Sequence, residues 1–71
     1  MTMKVGDLIP REWVHLTTGF FGDLPPEVKE SFERASELLV EFIGEYVELG
    51  WVDGRTVHTI YVKPENIKEE S

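Results

Sequence analysis

Residues 37–62 read ELLVEFIGEYVELGWVDGRTVHTIYV, and two periodicities compete for them. Taken as strands, the stretch holds two tight turns. Asp53-Gly54 is the strongest short hairpin signal a sequence carries, suited to a type I′ turn. It sets Val52 opposite Arg55, Trp51 opposite Thr56, Leu49 opposite His58 and Val47 opposite Ile60. A second turn at Gly44-Glu45, with glycine supplying the positive φ of a type II′ turn, sets Ile43 opposite Tyr46, Phe42 opposite Val47, Val40 opposite Leu49 and Leu38 opposite Trp51. One side of this meander is then Leu38, Val40, Phe42, Val47, Leu49, Trp51, His58, Ile60 and Val62. Turns placed independently give one apolar face, and slipping either by a residue scatters it.

Taken as a helix, the same region continues a pattern that begins upstream. Val28, Phe32, Ala35, Leu39, Phe42, Tyr46 and Leu49 fall at spacings of four and three. That stripe would make one helix over 25–49, capped by Gly50 and followed by a hairpin. Such a helix holds Gly44 in its interior at a cost of about 1 kcal/mol. It also leaves the β-branched and aromatic segment 55–62 with only Trp51 and Val52 to pair with. The meander carries one liability, Glu41 facing Glu48, a like-charged pair that costs some tenths of a kcal/mol. The balance favours strands. The chain is read as mostly β with one helix, and the long helix followed by a hairpin is the alternative.

Upstream, Met3–Ile9 has the composition of a short strand stopped by Pro10, and Trp13–Thr17 that of a second extended piece. Gly19 and Gly22 flank Phe20 and Phe21, which suggests a bend. Asp23 followed by Pro25-Pro26 marks a helix entrance, and a helix over 25–36 follows, with Glu30 and Arg34 at ion-pair spacing. Downstream, Pro64 ends the last strand and Ile67 offers one apolar side chain to the sheet. Residues 1–2 and 68–71 are expected to fray.

The order of these pieces resembles SH3-like small barrels. Lys4-Val5-Gly6-Asp7-Leu8-Ile9 is similar to their first strand, and Thr18-Gly19-Phe20-Phe21-Gly22 resembles the bend that follows it in KOW-type and Tudor-type domains. Leu39-Val40-Glu41-Phe42, the Asp53-Gly54 hairpin and Tyr61-Val62-Lys63-Pro64-Glu65-Asn66-Ile67 look like the later strands and the single-turn helix before the last one. The resemblance implies a barrel with 25–36 as a helical insertion. It carries over no functional residue, and fold alone does not fix function.

Composition narrows the function classes. The chain has 71 residues, the length of one domain, and 41% hydrophobic and 30% charged residues, as globular proteins have. It lacks cysteine, so disulfides and thiolate zinc sites are excluded. No apolar run exceeds three residues, far short of the ~20 that cross a membrane, and the start has no apolar signal-peptide core. A cytoplasmic location is expected. The net charge is −7, of which −5 falls within 25–50. Direct nucleic-acid binding and attachment to anionic membranes are both disfavoured, because each needs clustered Lys and Arg. Eleven Glu against three Asp, a single Asn and no Gln give a faint thermophilic flavour.

The search for chemistry is nearly empty. The serines Ser31, Ser36 and Ser71 have no nucleophile-elbow context. His15 and His58 are 43 residues apart with no metal-ligand signature, and His58 falls on the predicted core face. No enzyme activity, no cofactor and no metal are expected. What remains is surface. In the meander register Ile43, Tyr46 and Tyr61 form one contiguous patch on the far side of the sheet, unless Val28 and Phe32 of the helix cover it. Phe20 and Phe21 at the glycine bend, with Trp51, are further aromatic candidates; the Tudor resemblance implies that such a tip could receive a basic or methylated peptide through cation–π contacts. The function expected is a non-enzymatic protein-interaction module with a protein or peptide partner, monomeric or weakly dimeric. The alternative is an acidic regulator or inhibitor presenting Glu27–Glu48 to a basic protein surface. A homodimer along the heptad stripe follows only if the long helix forms.

Overall fold

The computed structural model describes residues 3–16 and 24–69. Strands β1 (Leu8–Pro10), β2 (Glu37–Ile43), β3 (Val47–Asp53) and β4 (Thr56–Val62) form one antiparallel sheet in the order β1-β2-β3-β4. One helix, α1 (Pro26–Arg34), precedes β2, and single helical turns occupy Arg11–Trp13 and Pro64–Asn66. The long helix over 25–49 is not formed: strand and turn replace it from Glu37 onward. The reason is the one the segment itself supplies, since β4 pairs along its whole length with β3.

Both hairpins differ in detail from the expected register. At the second, the loop is Gly54-Arg55, with Asp53 opposite Thr56, Trp51 opposite His58 and Leu49 opposite Ile60. Gly54 takes φ +65°, and no non-glycine residue has positive φ among the described residues, so the left-handed residue is the first of the loop, as in a type II′ turn. The slide is by two residues, and a two-residue slide keeps every side chain on its own face. The first hairpin differs more. Val40 faces Leu49 as expected, but a bulge at Glu41 then sets Phe42 opposite Glu48 and Ile43 opposite Val47. The loop is Gly44–Tyr46, and Gly44 does not adopt positive φ. One extra residue reverses the faces beyond it. Phe42 therefore points outward at 60% exposure, and half-buried Ile43 packs against the core.

The core lies on one side of the sheet. Leu38, Val40, Val47, Leu49, Trp51, Ile60 and Val62 from the strands meet Phe32 of α1, together with Met3, Ile9, Val14 and Ile67. Phe32 is buried and sits edge-on to Trp51, with ring centroids 5.7 Å apart. The helix thus covers the Trp51 side, not the opposite face that carries Tyr61. Pro25 takes its N-cap position, and Arg34 pairs with Asp53 across to the second hairpin. Asp23 and Thr17 fall outside the described residues.

The chain ends are tied together. Strand β1 is shorter than expected, because Lys4–Asp7 forms a turn with Gly6 at φ +98°. That turn still exchanges backbone bonds with Val40. Val14 bridges Ile67, His15 N–H donates to Asn66, and Lys68 N–H donates to Trp13, so Lys68 is anchored where fraying was expected. The sheet itself is open, with β1 and β4 as its edges.

Candidate functional site

The face of the sheet away from the core is built by strand alternation. Successive side chains point to opposite sides, so once Leu38, Val40, Leu49 and Trp51 are buried, their neighbours are turned out. Pairing then aligns them in rows. Leu8 faces Leu39, Leu39 faces Gly50, and Gly50 faces Thr59; beside that row Val52 faces Val57, and on its other flank Glu48 lies between Phe42 and Tyr61. Leu8, Val52 and Val57 are each more than 60% exposed, and Leu39 is exposed as well. Apolar residues scattered singly on a surface need no explanation, but a contiguous set does.

Gly50 shapes this face. With no side chain at the centre of a row, it leaves a shallow groove of about 540 Å³ lined by Leu8, Leu39, Glu41, Val52 and Val57 and closed at one end by Arg34–Glu37. The bulged residue Glu41 lies across it: a Cβ at position 50 would run into the Glu41 carboxylate. A glycine inside a strand commonly marks such a close approach.

Three polar side chains cross the apolar rows. The Glu41 carboxyl is hydrogen-bonded to Glu48, and Tyr61 donates its hydroxyl to Glu48. Partial burial raises the Glu41 pKa above its ordinary value, and the hydrogen bond and like charge of Glu48 raise it further. Tyr61 is raised too, first because its proton is shared with Glu48, then by the charge of that carboxylate. Two carboxyl groups thus stand side by side on an otherwise apolar surface.

No family model, curated protein or solved structure matches this chain.

The residues singled out from the sequence are dispersed by this geometry. Tyr61 is exposed on the outer face, which Val28 and Phe32 do not cover. Ile43 is on the core side, so the Ile43–Tyr46–Tyr61 patch does not exist as one surface. Tyr46 is exposed in the first hairpin loop, beside Glu45, Lys63, Pro64 and Glu65. Trp51 is buried: its ring stacks on His58 at 5.2 Å and its indole N–H donates to Ser31. Phe20 and Phe21 fall outside the described residues. Leu8, Leu39, Gly50, Val52 and Val57 were not singled out, although Gly50 inside a strand, with valines in both arms of the hairpin, carries the signal. Among the described residues, no three metal-ligating side chains converge and no helix is long and apolar enough to cross a membrane.

Proposed function

We propose that the chain is a non-enzymatic protein-interaction module that receives an extended peptide segment on the outer face of its sheet. The segment's aliphatic side chains lie in the groove over Gly50, and one Lys or Arg reaches the Glu41–Glu48 pair. The observation that carries this reading is the contiguous exposed surface of Leu8, Leu39, Val52 and Val57 around two carboxyl groups. Apolar area supplies affinity and the carboxyl pair supplies selection, since a cation placed beside two neighbouring acids relieves their like-charge repulsion. We read the fold as an SH3-like small barrel in open form; the Val14–Ile67 bridge and the helical turn before it support that reading.

The test is a titration of labelled protein with short extended peptides that carry one Lys among aliphatic residues, followed by amide chemical shifts. Shifts clustered on Leu39, Gly50, Val52 and Val57 are expected, weakened by Glu41→Gln and absent when the peptide Lys becomes Glu. Moderate salt should leave most of the affinity in place. Binding that disappears with salt for every basic peptide, whatever its apolar content, would favour the acidic-regulator reading instead. No shifts with any peptide, or shifts confined to the helix, would overturn the proposal.

A further inference from the structure

The two edges of the sheet are treated differently. Strand β1 is three residues long and ends in Pro10, as protected edges do. Strand β4 is seven residues long, TVHTIYV, with no Lys, Glu, Asp, Arg, Pro or Gly, and it pairs with β3 without a bulge. Its own sequence has none of the charges, prolines or bulges that discourage a further strand from adding.

Its free side can be specified. The two-residue loop is closed by the pair Asp53–Thr56. With that pair hydrogen-bonded, antiparallel alternation turns the N–H and C=O of Val57, Thr59 and Tyr61 away from β3. No backbone group of another described residue bonds to them. These three residues are exposed, so donors, acceptors and side chains are all presented together.

We propose that β4 pairs with β4 of a second copy of this chain, antiparallel about a two-fold axis through Thr59, joining the sheets of two protomers edge to edge. Among two-fold registers this one uses all three outward-facing residues of each copy. Val57 meets Tyr61 of the second copy and Thr59 meets its own counterpart, so three pairs exchange two hydrogen bonds each, six in all. The side-chain pairs are favourable ones: β-branched with aromatic twice, and threonine with threonine. On the core side His58 stands opposite Ile60. A chain of net charge −7 repels its copies, and β4 is the stretch where no acid intrudes. At the ends Arg55 falls opposite Lys63 of the second copy, a like-charged pair that keeps the dimer weak. Association therefore tightens as salt rises, the reverse of a charge-driven complex. The dimer shares Val57 with the peptide groove but is centred on Thr59, which does not line that groove, so the Thr59 substitutions test the dimer apart from the peptide reading.

Sedimentation of the whole chain from micromolar to millimolar concentration should give a monomer–dimer equilibrium. Thr59→Pro is tolerated on a free edge because the lost N–H points outward, and it should weaken the dimer about tenfold or more by removing the central bonds. Thr59→Lys keeps the backbone intact and should do the same by opposing like charges; circular dichroism checks that both variants fold. The register has its own readout, since the chain has no cysteine. Thr59→Cys places two thiols directly opposite each other, with Cα atoms about 5.5 Å apart, and should cross-link with a short thiol-specific bifunctional reagent. Val57→Cys places them about 14 Å apart and should not. A monomer at every concentration, or a dimer indifferent to both Thr59 substitutions, would overturn the proposal. So would equal cross-linking at 57 and 59.

Discussion

Trp51 donates its indole N–H to the hydroxyl of Ser31 at 2.8 Å. The bond joins the centre of the sheet to the centre of the helix, and it is completed beyond Ser31, whose hydroxyl donates to Asp53 at 2.7 Å. Asp53 also accepts from Arg34. Ser31 is buried, so its oxygen links the interior to the hairpin through one polar path.

Removing that oxygen should therefore cost more than a surface hydroxyl does. In Ser31→Ala the Trp51 N–H is left in an apolar interior without an acceptor. An unpaired buried donor costs about 1–3 kcal/mol. Urea unfolding should show a lower midpoint, by that free-energy loss divided by the slope, with the slope itself unchanged. Trp51→Phe in the same background removes the unpaired group, so its further cost should be smaller than in the parent chain.

Asp53 gives the same path a pH dependence. Its pKa is lowered, first by the hydrogen bond from Ser31 and then by the one from Arg34, against a smaller opposing effect of burial. A carboxylate whose folded pKa lies below its unfolded value stabilises above the unfolded value, and that stabilisation is lost as pH falls through the folded one. Asp53→Asn should weaken the fold at neutral pH and have little further effect at acid pH. Unfolding curves collected across the acid range in both proteins check it.

Glu41 works in the opposite direction. Its pKa is raised, so the folded chain holds a proton more tightly than the unfolded chain does. The fold is favoured below the ordinary carboxylate value, and that advantage is lost as pH rises through the folded pKa. Glu41→Gln keeps a hydrogen-bond donor for Glu48 and removes the like charge. It should raise stability at neutral pH and flatten the decline above the ordinary carboxylate range, read from the same series of unfolding curves.

The parts of this fold that were legible in the sequence share a physical origin. Leu38, Val40, Val47, Leu49, Trp51, Ile60 and Val62 alternate strictly, and alternation survives a two-residue slide of the hairpin, so the core face was readable despite the wrong loop. The helix was readable from Pro25-Pro26 and the Val28–Phe32 spacing, but not the side it covers, because one apolar stripe fits either face of a sheet. The bulge was not readable: Glu41 pairs with no β3 residue, and its side chain fits only because Gly50 lies beneath it. That relation joins residues nine positions apart and leaves no local trace. The outer face was legible only in part: alternation put Tyr61 on it, but the bulge puts Phe42 there in place of Ile43.

This makes Phe42 and Ile43 the sharpest check on the architecture. An unbulged register buries Phe42 and exposes Ile43, whereas the bulge does the reverse. Truncating a buried aromatic costs about 3–5 kcal/mol, while changes on an exposed surface stay within about 0.5 kcal/mol. Phe42→Ser should fall near the lower figure, allowing for the contact its ring makes along the loop toward Gly44. Ile43→Ala, half-buried against the core, should cost about 1–2 kcal/mol, less than the 2–5 of a fully buried isoleucine. The ordering decides it. If Phe42 proves the costlier residue, the bulge is misplaced, Phe42 returns to the interior, and the exposed face loses the residue that flanks Glu48.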